Sequence, residues 1–147
     1  QTPIGRVGGL ICWENYMPMA RQVMYNAGVQ VYVAPTWDSS ESWHTAMRHL
    51  AREGGMFVIG CAPCVRTDDI PDRYEFKKNY PEDREFVNKG NSCIVDPGGN
   101  VLAGPAEGKQ EILYAEIDLA EISTYKWLFD AAGHYARPDV FDFGIKG

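Results

Sequence analysis

The chain has 147 residues, of which 45% are hydrophobic and 12% aromatic, with a formal net charge of −6. This length and composition are enough to bury a core, which excludes a disordered or low-complexity protein. The acidic balance, with no run of Lys or Arg, disfavours nucleic acid and anionic membrane surfaces as partners. No apolar run approaches the length that spans a bilayer, so we expect neither a nucleic-acid nor a membrane partner.

The first predicted element is a short buried strand over residues 7–11, because its apolar side chains need cover and its two glycines allow close backbone approach. Pro18 suits the first turn of a helix, and Gly28 suits its C-terminal cap. Cys12 therefore lies where a strand turns into a helix. Such a corner exposes one side chain and aims backbone N–H groups at what it attacks, as in a nucleophile elbow.

The alternation of strand and helix continues after this corner. We predict a strand over 29–33, then a helix that starts after Ser40 and ends at Gly54 and Gly55, then a buried strand over 56–62. Apolar residues recur along that helix at the spacing of one buried face: Trp43, Ala46, Met47, Leu50 and Ala51. Strands over 92–95 and 101–102, joined by a tight turn at 96–100, then a strand over 111–117 and a helix over 119–128, complete an α/β fold with a mixed sheet.

The chain has four cysteines, of which Cys12 is discussed above. Cys61 and Cys93 lie in strand-like apolar runs, and we expect both to be core thiols. Cys61 and Cys64 have the CxxC spacing of zinc and redox sites, but no second ligand pair exists and no helix follows. We therefore expect no metal and no cofactor. Reduced thiols are simplest to explain in the cytoplasm.

Residues 65–90 are polar and punctuated by Pro71 and Pro81, which is typical of a surface insertion. A solvated loop is one interpretation. The aromatic residues in this stretch favour a contact surface instead: Tyr74, Phe76, Tyr80 and Phe86.

Four sequence blocks carry a family resemblance. Residues 9–15 read GLICWEN, 34–38 read APTWD, 47–58 read MRHLAREGGMFV and 133–141 read GHYARPDVF. In this order and over nearly the whole chain, they resemble the nitrilase branch of the carbon–nitrogen hydrolases. The resemblance implies a nitrilase-type αββα sandwich, and we expect residues 1–147 to be the C-terminal part of one such domain, ending in a tail over 133–147.

The resemblance also implies a reaction. Cys12 would be the nucleophile that attacks a nitrile, giving a thioimidate, then a thioester, and finally a carboxylic acid and ammonia. The backbone N–H of Trp13 would stabilise developing charge, and Glu14 would have a supporting role. Trp13 and Trp37 are candidates to line the substrate pocket, although core packing is an equal interpretation for Trp37.

The general-base Glu, the Lys and the second Glu of family members lie upstream of the cysteine block, whereas this chain starts at Gln1. We therefore expect these groups in an upstream part of the enzyme, and we expect the chain alone to be inactive. One alternative is an amidase or a nitrile-hydrating relative such as a cyanide hydratase, since the thioimidate can break down to an amide. The alternative from another class is a catalytically incomplete fragment or assembly subunit.

The expected partner besides a small nitrile is a second copy of the protein. The 65–90 insertion resembles the one that joins dimers in spiral assemblies of nitrilases, and the 133–147 tail resembles one that packs across subunits. We also expect the helix over 43–54 to carry a basic outer stripe of His44, Arg48 and Arg52.

Overall fold

The computed structural model describes residues 2–146, which form a mixed six-stranded sheet with helices. The strands are β1 (Val7–Gly9), β2 (Val31–Pro35), β3 (Phe57–Cys61), β4 (Cys64–Arg66), β5 (Phe86–Val95) and β6 (Val101–Glu107). The α-helices are α1 (Pro18–Asn26), α2 (Glu41–Gly54) and α3 (Glu121–Leu128). Short 3-10 helices occupy Cys12–Tyr16, Thr67–Asp69 and Glu75–Asn79.

The sheet changes from parallel to antiparallel along its width. β1 pairs parallel with β2, and β2 pairs parallel with β3, because α1 and α2 return the chain to the same end between strands. β5 runs antiparallel to β3, β4 and β6. The predicted α/β fold with a mixed sheet is confirmed, and β1 and β2 end at the same edge, with Gly9 opposite Val33.

One face of the sheet is covered by α1 and α2 and forms the core. The predicted helix over 41–54 is confirmed, with the Ser40 hydroxyl accepting a hydrogen bond from the N–H of Trp43 and Gly55 in the left-handed conformation at its end. The core contains these fully or almost fully buried residues: Tyr25, Tyr32, Ala34, Trp43, Met47, Leu50, Ala51, Met56, Val58, Cys93 and Val95. The period of the α2 apolar residues therefore matches the face that packs on the sheet.

The prediction of a buried strand over 7–11 is wrong. β1 ends at Gly9, Val7 is 39% exposed and Ile11 is 64% exposed. β1 is the end strand of the sheet in the described chain, so it is paired on one side by β2 alone. Val33, on the sheet face opposite the helices, is also exposed, so apolar character here does not correspond to burial within residues 2–146.

Of the two cysteines predicted to be core thiols, one is buried and the other is exposed. Cys93 is fully buried against α2, as predicted, whereas Cys61 is exposed. Successive strand residues alternate between faces, so Cys61 at the end of β3 points to the face opposite the buried Gly60. β3 and β4 both pair antiparallel with β5, one after the other along its length. Gly60 of β3 lies opposite Cys93, and Cys64 of β4 lies opposite Lys89. An extended chain spaces Cys61 and Cys64 by roughly 10 Å, too far for a disulfide.

The predicted strand over 111–117 is absent. Residues 111–118 form neither helix nor strand, because no strand among residues 2–146 pairs with them. Ile112 and Tyr114 are 77% and 81% exposed. The helix that follows begins at Glu121, two residues later than predicted.

The basic outer stripe predicted on α2 is wrong at His44, which is buried. Arg48 is exposed, as predicted, and donates a hydrogen bond from Nε to the carbonyl of Gly99 at 2.9 Å. The turn between β5 and β6 therefore lies against this side of α2. Arg52 lies with its guanidinium carbon 5.8 Å from the centre of the Phe129 ring.

The stretch over 65–90 begins in β4 and ends in β5, with two 3-10 helices between. Its aromatic rings stack with arginines of the same stretch, Arg66 on Phe86 and Arg84 on Tyr80. Tyr74 and Phe76 remain 43% and 48% exposed. Within residues 2–146, none of the helices has the length and apolar character needed to cross a membrane.

A partly buried carboxylate joins α1 to α2. Glu53 Oε2 accepts hydrogen bonds from Arg21 Nε at 2.9 Å and from the Tyr25 hydroxyl at 2.5 Å. Burial alone would raise the pKa of Glu53, but the hydrogen bonds from Arg21 and Tyr25 outweigh it and hold the pKa below its usual range. Glu53 is therefore ionised in the folded protein.

We expect Glu53→Gln to lower the free energy of unfolding by about 1–2 kcal/mol at about pH 7, because a charge-assisted pair with Arg21 is lost. Since the folded pKa lies below the unfolded one, this stabilisation is complete above the usual pKa of Glu and is lost as pH falls through the folded value. Urea unfolding at several pH values measures it. The two proteins should converge as the pH falls through the folded pKa of Glu53, and a difference independent of pH would contradict the assignment.

Candidate active site

Cys12 lies at a sharp turn, three residues after the end of β1 at Gly9. Its φ is +51°, a left-handed conformation that is uncommon for a residue with a side chain. The 3-10 helix Cys12–Tyr16 begins there, and α1 follows from Pro18 in its first turn. The predicted corner between strand and helix is thus present, and it has the backbone conformation that is expected where a nucleophile is held exposed above a sheet.

Glu14 stabilises this turn by hydrogen bonds to its backbone. Its Oε2 accepts a hydrogen bond from the N–H of Ile11 at 2.8 Å, and its carbonyl accepts one from the N–H of Met17 at 3.0 Å. Both bonds satisfy backbone groups of the turn. These contacts direct the Glu14 carboxylate to the backbone of the loop that carries Cys12, and its supporting role in catalysis stays a prediction.

The loop after β2 brings a hydroxyl to the thiol. Thr36 Oγ1 donates to Cys12 Sγ at 3.3 Å, while it accepts from the N–H of Asp38 at 2.9 Å. The N–H of Thr36 donates to the carbonyl of Cys61 at 2.9 Å, which ties the loop to the end of β3. The three parallel strands thus place Cys12 and Thr36 together at their carboxyl edge, where α/β sheets bind ligands.

The surroundings of Cys12 favour the thiolate. The hydrogen bond from Thr36 is the main cause that lowers the pKa of Cys12; partial burial opposes it, and the backbone N–H groups of Trp37 and Trp13 lower it further. The charge of Asp38 acts in the opposite direction. Burial raises the pKa of Cys93 to about 11, so these two thiols differ in the direction that separates a reactive cysteine from an inert one.

The two predicted substrate-contacting tryptophans lie beside this thiol. Trp13 is 66% exposed and Trp37 is 56% exposed, so Trp37 is not a core residue of the described chain. Trp13 Nε1 donates to Asp38 Oδ2 at 3.0 Å, and the carbonyl of Trp37 accepts from Asn88 Nδ2 at 2.5 Å. The Trp13 ring is therefore held by a hydrogen bond of its own indole N–H, whereas the contact at Trp37 holds its backbone, and both side chains are largely exposed to solvent.

Three polar residues of the site escaped the sequence prediction: Thr36, Asp38 and Asn15. Asn15 is fully buried, and its Nδ2 donates to the carbonyls of Leu10 at 2.9 Å and Cys12 at 2.8 Å. Its Oδ1 accepts from the Tyr32 hydroxyl at 2.7 Å. The available signal was position: Thr36 and Asp38 follow directly after a strand, and Asn15 is a polar residue inside a turn.

In the described range, 2–146, no group of three or more His, Cys, Asp or Glu side chains could hold a metal ion. A cavity of about 480 Å³ is lined by Cys61, Cys64, Ser92 and Gln110 among others. Cys12 does not line that cavity, and it is itself partly buried.

Comparison with known proteins gives a consistent family assignment. The sequence model of the family described as carbon–nitrogen hydrolase matches residues 1–126. A nitrilase of Bradyrhizobium diazoefficiens is 45% identical over 145 residues, covering 99% of this chain and 45% of the relative. A bifunctional nitrilase/nitrile hydratase of Lupinus angustifolius is 43% identical over 151 residues, covering 99% of this chain and 43% of the relative.

Solved structures agree with the fold. A carbon–nitrogen hydrolase from Helicobacter pylori superposes with a TM-score of 0.74 at 25% identity, covering 96% of this chain and 49% of that one. The NitFhit protein of C. elegans superposes with a TM-score of 0.75 at 26% identity, covering 99% and 32% respectively. These likenesses confirm the predicted nitrilase-type fold. The chain spans less than half the length of these curated relatives.

We expect Thr36→Val to slow alkylation of Cys12, because the hydroxyl that lowers the pKa of the thiol is removed and less thiolate is present near neutral pH. A fall of about three- to tenfold in the rate with iodoacetamide is expected, with recovery at higher pH. Peptide mapping by mass spectrometry measures it. Thr67→Val, at a buried threonine of the 65–90 stretch, is the matched control, and an unchanged Thr36→Val profile would contradict the assignment.

Proposed function

The chain belongs to the carbon–nitrogen hydrolase family, and from its site we propose that the protein hydrolyses a nitrile to a carboxylic acid and ammonia with Cys12 as nucleophile. The observation that carries the proposal is the Cys12 thiol at a left-handed turn, 3.3 Å from the hydroxyl of Thr36. Similarity of 43–45% to nitrilases over 99% of the chain supports the choice of nitriles within the family.

The first chemical step needs a thiolate and an electrophilic carbon. The Cys12 sulfur forms a bond to the nitrile carbon while one π bond to nitrogen breaks, and the nitrogen takes a proton to give a thioimidate. Backbone N–H groups are suited to stabilise the developing negative charge, and that of Trp13 is adjacent to the sulfur. The hydrogen bond from Thr36 keeps the thiol ready for the step by favouring its ionised form.

Two waters complete the reaction. The first adds to the thioimidate carbon, and loss of ammonia leaves a thioester on Cys12; the second releases the acid and restores the thiol. Proton transfer in these steps requires a base and an acid. The family resemblance assigns them to a Glu and a Lys, and among the described residues the groups that shift the pKa of Cys12 include neither. We therefore propose that the chain needs an upstream part of the enzyme for turnover.

The tryptophans are proposed to contact the organic group of the nitrile. Trp13 and Trp37 are exposed next to Cys12, and aromatic faces bind apolar substituents by burying their surface. Asp38 fixes the Trp13 ring through its indole N–H. Glu14 is proposed to act on the turn rather than on protons, since its carboxylate accepts from the N–H of Ile11.

An amide product is the second candidate. The thioimidate can lose the thiol in place of ammonia after the first water adds, which releases an amide, and a relative at 43% identity is named as both a nitrilase and a nitrile hydratase. Product analysis by mass spectrometry separates the acid from the amide. An amidase reaction shares the thioester stage but starts from an amide. A catalytically incomplete assembly subunit is the candidate outside enzymes, and the activity assay on Cys12 variants distinguishes it.

Location and assembly are proposed with this function. The four cysteines are free thiols, which suits a reducing cytoplasm.

A homo-oligomer, of the spiral kind that the resemblance suggests, is proposed because apolar side chains of the 133–147 tail are exposed: Tyr135, Val140, Phe141 and Ile145 are between 57% and 72% exposed. Covering such side chains by a second copy would stabilise the contact.

We expect Cys12→Ala to abolish nitrile turnover in the complete enzyme, because the atom that forms the thioimidate is removed. Cys61→Ala, Cys64→Ser and Cys93→Ala are the controls and should keep most of the activity. With a slow nitrile substrate, mass spectrometry should find the adduct on the peptide that contains Cys12. An adduct on another cysteine, or turnover by Cys12→Ala, would contradict the proposal.

We expect truncation after Gly133 to lower both the assembly size and the activity of the complete enzyme. The exposed tail side chains contribute about 25 cal/mol for each Å² of apolar surface they bury, so two aromatic rings are worth several kcal/mol. Sedimentation velocity and turnover are measured together. Retention of both size and rate would show that the tail does not hold subunits together.

A further inference from the structure

A line of hydrogen bonds runs from α2 to the backbone of the proposed nucleophile. Glu53 on α2 accepts from Arg21 Nε on α1 at 2.9 Å. The same guanidinium donates from Nη1 to the carbonyl of Asn15 at 3.1 Å. Asn15 in turn donates from Nδ2 to the carbonyl of Cys12 at 2.8 Å. The line therefore connects a carboxylate on one helix to the peptide of Cys12 through two intermediate residues.

Each member of the line is held in place. The side chain of Arg21 is 12% exposed and that of Glu53 is 26% exposed, and Asn15 is fully buried. The Tyr25 hydroxyl gives Glu53 a second donor, and the Tyr32 hydroxyl occupies the Oδ1 of Asn15. Arg21 uses two different nitrogens for its two contacts, which suits the fixed fork of a guanidinium and not the single nitrogen of a lysine.

The turn at Cys12 needs such support. A non-glycine residue at a φ of +51° is strained, and strain of this kind persists only where the surrounding structure holds it. Asn15 fastens the carbonyls on both sides of the bend, those of Leu10 and Cys12. Arg21 fastens the carbonyl of Asn15 itself. If the outer contact is lost, the 3-10 helix is free to move against α1.

We propose that Glu53 is a positioning residue for Cys12, acting through Arg21 and Asn15 to keep the sulfur within reach of the Thr36 hydroxyl. The proposal rests on the nucleophilic role proposed for Cys12. Without an acceptor oxygen at position 53, Arg21 loses its hydrogen-bond partner on α2 and the turn relaxes. The sulfur then spends less time in contact with Thr36 and with the backbone N–H groups of Trp13 and Trp37.

The test compares Glu53→Ala with Glu53→Gln in the complete enzyme, using iodoacetamide labelling of the Cys12 peptide across pH. Alanine removes the acceptor, so the labelling curve should move to higher pH and the rate near neutral pH should fall by about three- to tenfold. Glutamine keeps an oxygen that accepts from Arg21, so it should retain most of the rate. The titratable groups near Cys12, Asp38 and Tyr16, are unchanged in both, and those facing Glu53 are Arg21, Tyr25 and His49.

Two further variants separate positioning from general stability. Asp96→Ala removes a buried carboxylate that accepts from the N–H groups of Gly98 and Asn100 in the β5–β6 turn, so it should lower the melting temperature without moving the labelling curve. Arg21→Lys keeps the charge opposite Glu53 but cannot hold the Asn15 carbonyl at the same time. It should shift the labelling curve in the same direction as Glu53→Ala, and it decides the question if Glu53→Ala does not fold.

A wild-type labelling curve in Glu53→Ala or in Arg21→Lys would overturn the proposal, and so would an equal shift in Asp96→Ala. Labelling does not require a nitrile. A shifted curve in an enzyme that turns over no nitrile would therefore retain the positioning role while contradicting the proposed function. Normal nitrile turnover with an unshifted curve would do the reverse.

Discussion

The parallel pairing of β1 with β2 is the constraint on which the site depends. Parallel strands end at the same sheet edge, so the residues that follow β1 and β2 meet although 24 positions separate Cys12 from Thr36. The hydrogen bond between them orients the thiol and favours its ionised form. Any strand order that separated β1 from β2 would leave Cys12 without the group that most lowers its pKa.

The second requirement is a bend sharp enough to expose the sulfur. The left-handed conformation of Cys12 supplies it, and three side chains from two elements oppose the strain. Glu14 and Asn15 act within the turn, and the Tyr32 hydroxyl fixes Asn15 from β2. The same packing that forms the core between α1, α2 and the sheet thus also sets the position of Cys12, so the stability of the fold and the pKa of this thiol depend on shared residues.

Several apolar side chains outside the core are exposed in the described chain. The sheet face opposite the helices carries Val7 and Val33 at 39% and 37% exposure, and Ile112 and Tyr114 are almost fully exposed. Sequence reasoning expected burial for residues 7–11 and a paired strand over 111–117, and both expectations fail for the same reason. Burial and pairing both depend on neighbouring strands: β1 is the end strand of the sheet, and within residues 2–146 no strand pairs with residues 111–118. An αββα sandwich has a second sheet at this face.

Local patterns in the sequence were sufficient for the apolar face of α2, the helix caps and the corner at Cys12. Periodicity over α2 identified Trp43, Met47 and Leu50 as core residues, and Pro18 marked the start of α1. The partners of Cys12 and the exposure of Cys61 were decided by tertiary structure. Periodicity and turn preference act over a few residues, whereas the contacts Thr36–Cys12 and Arg21–Glu53 join positions 24 and 32 apart. Those contacts exist only once the strands and helices have packed, because packing determines which polar groups leave water together.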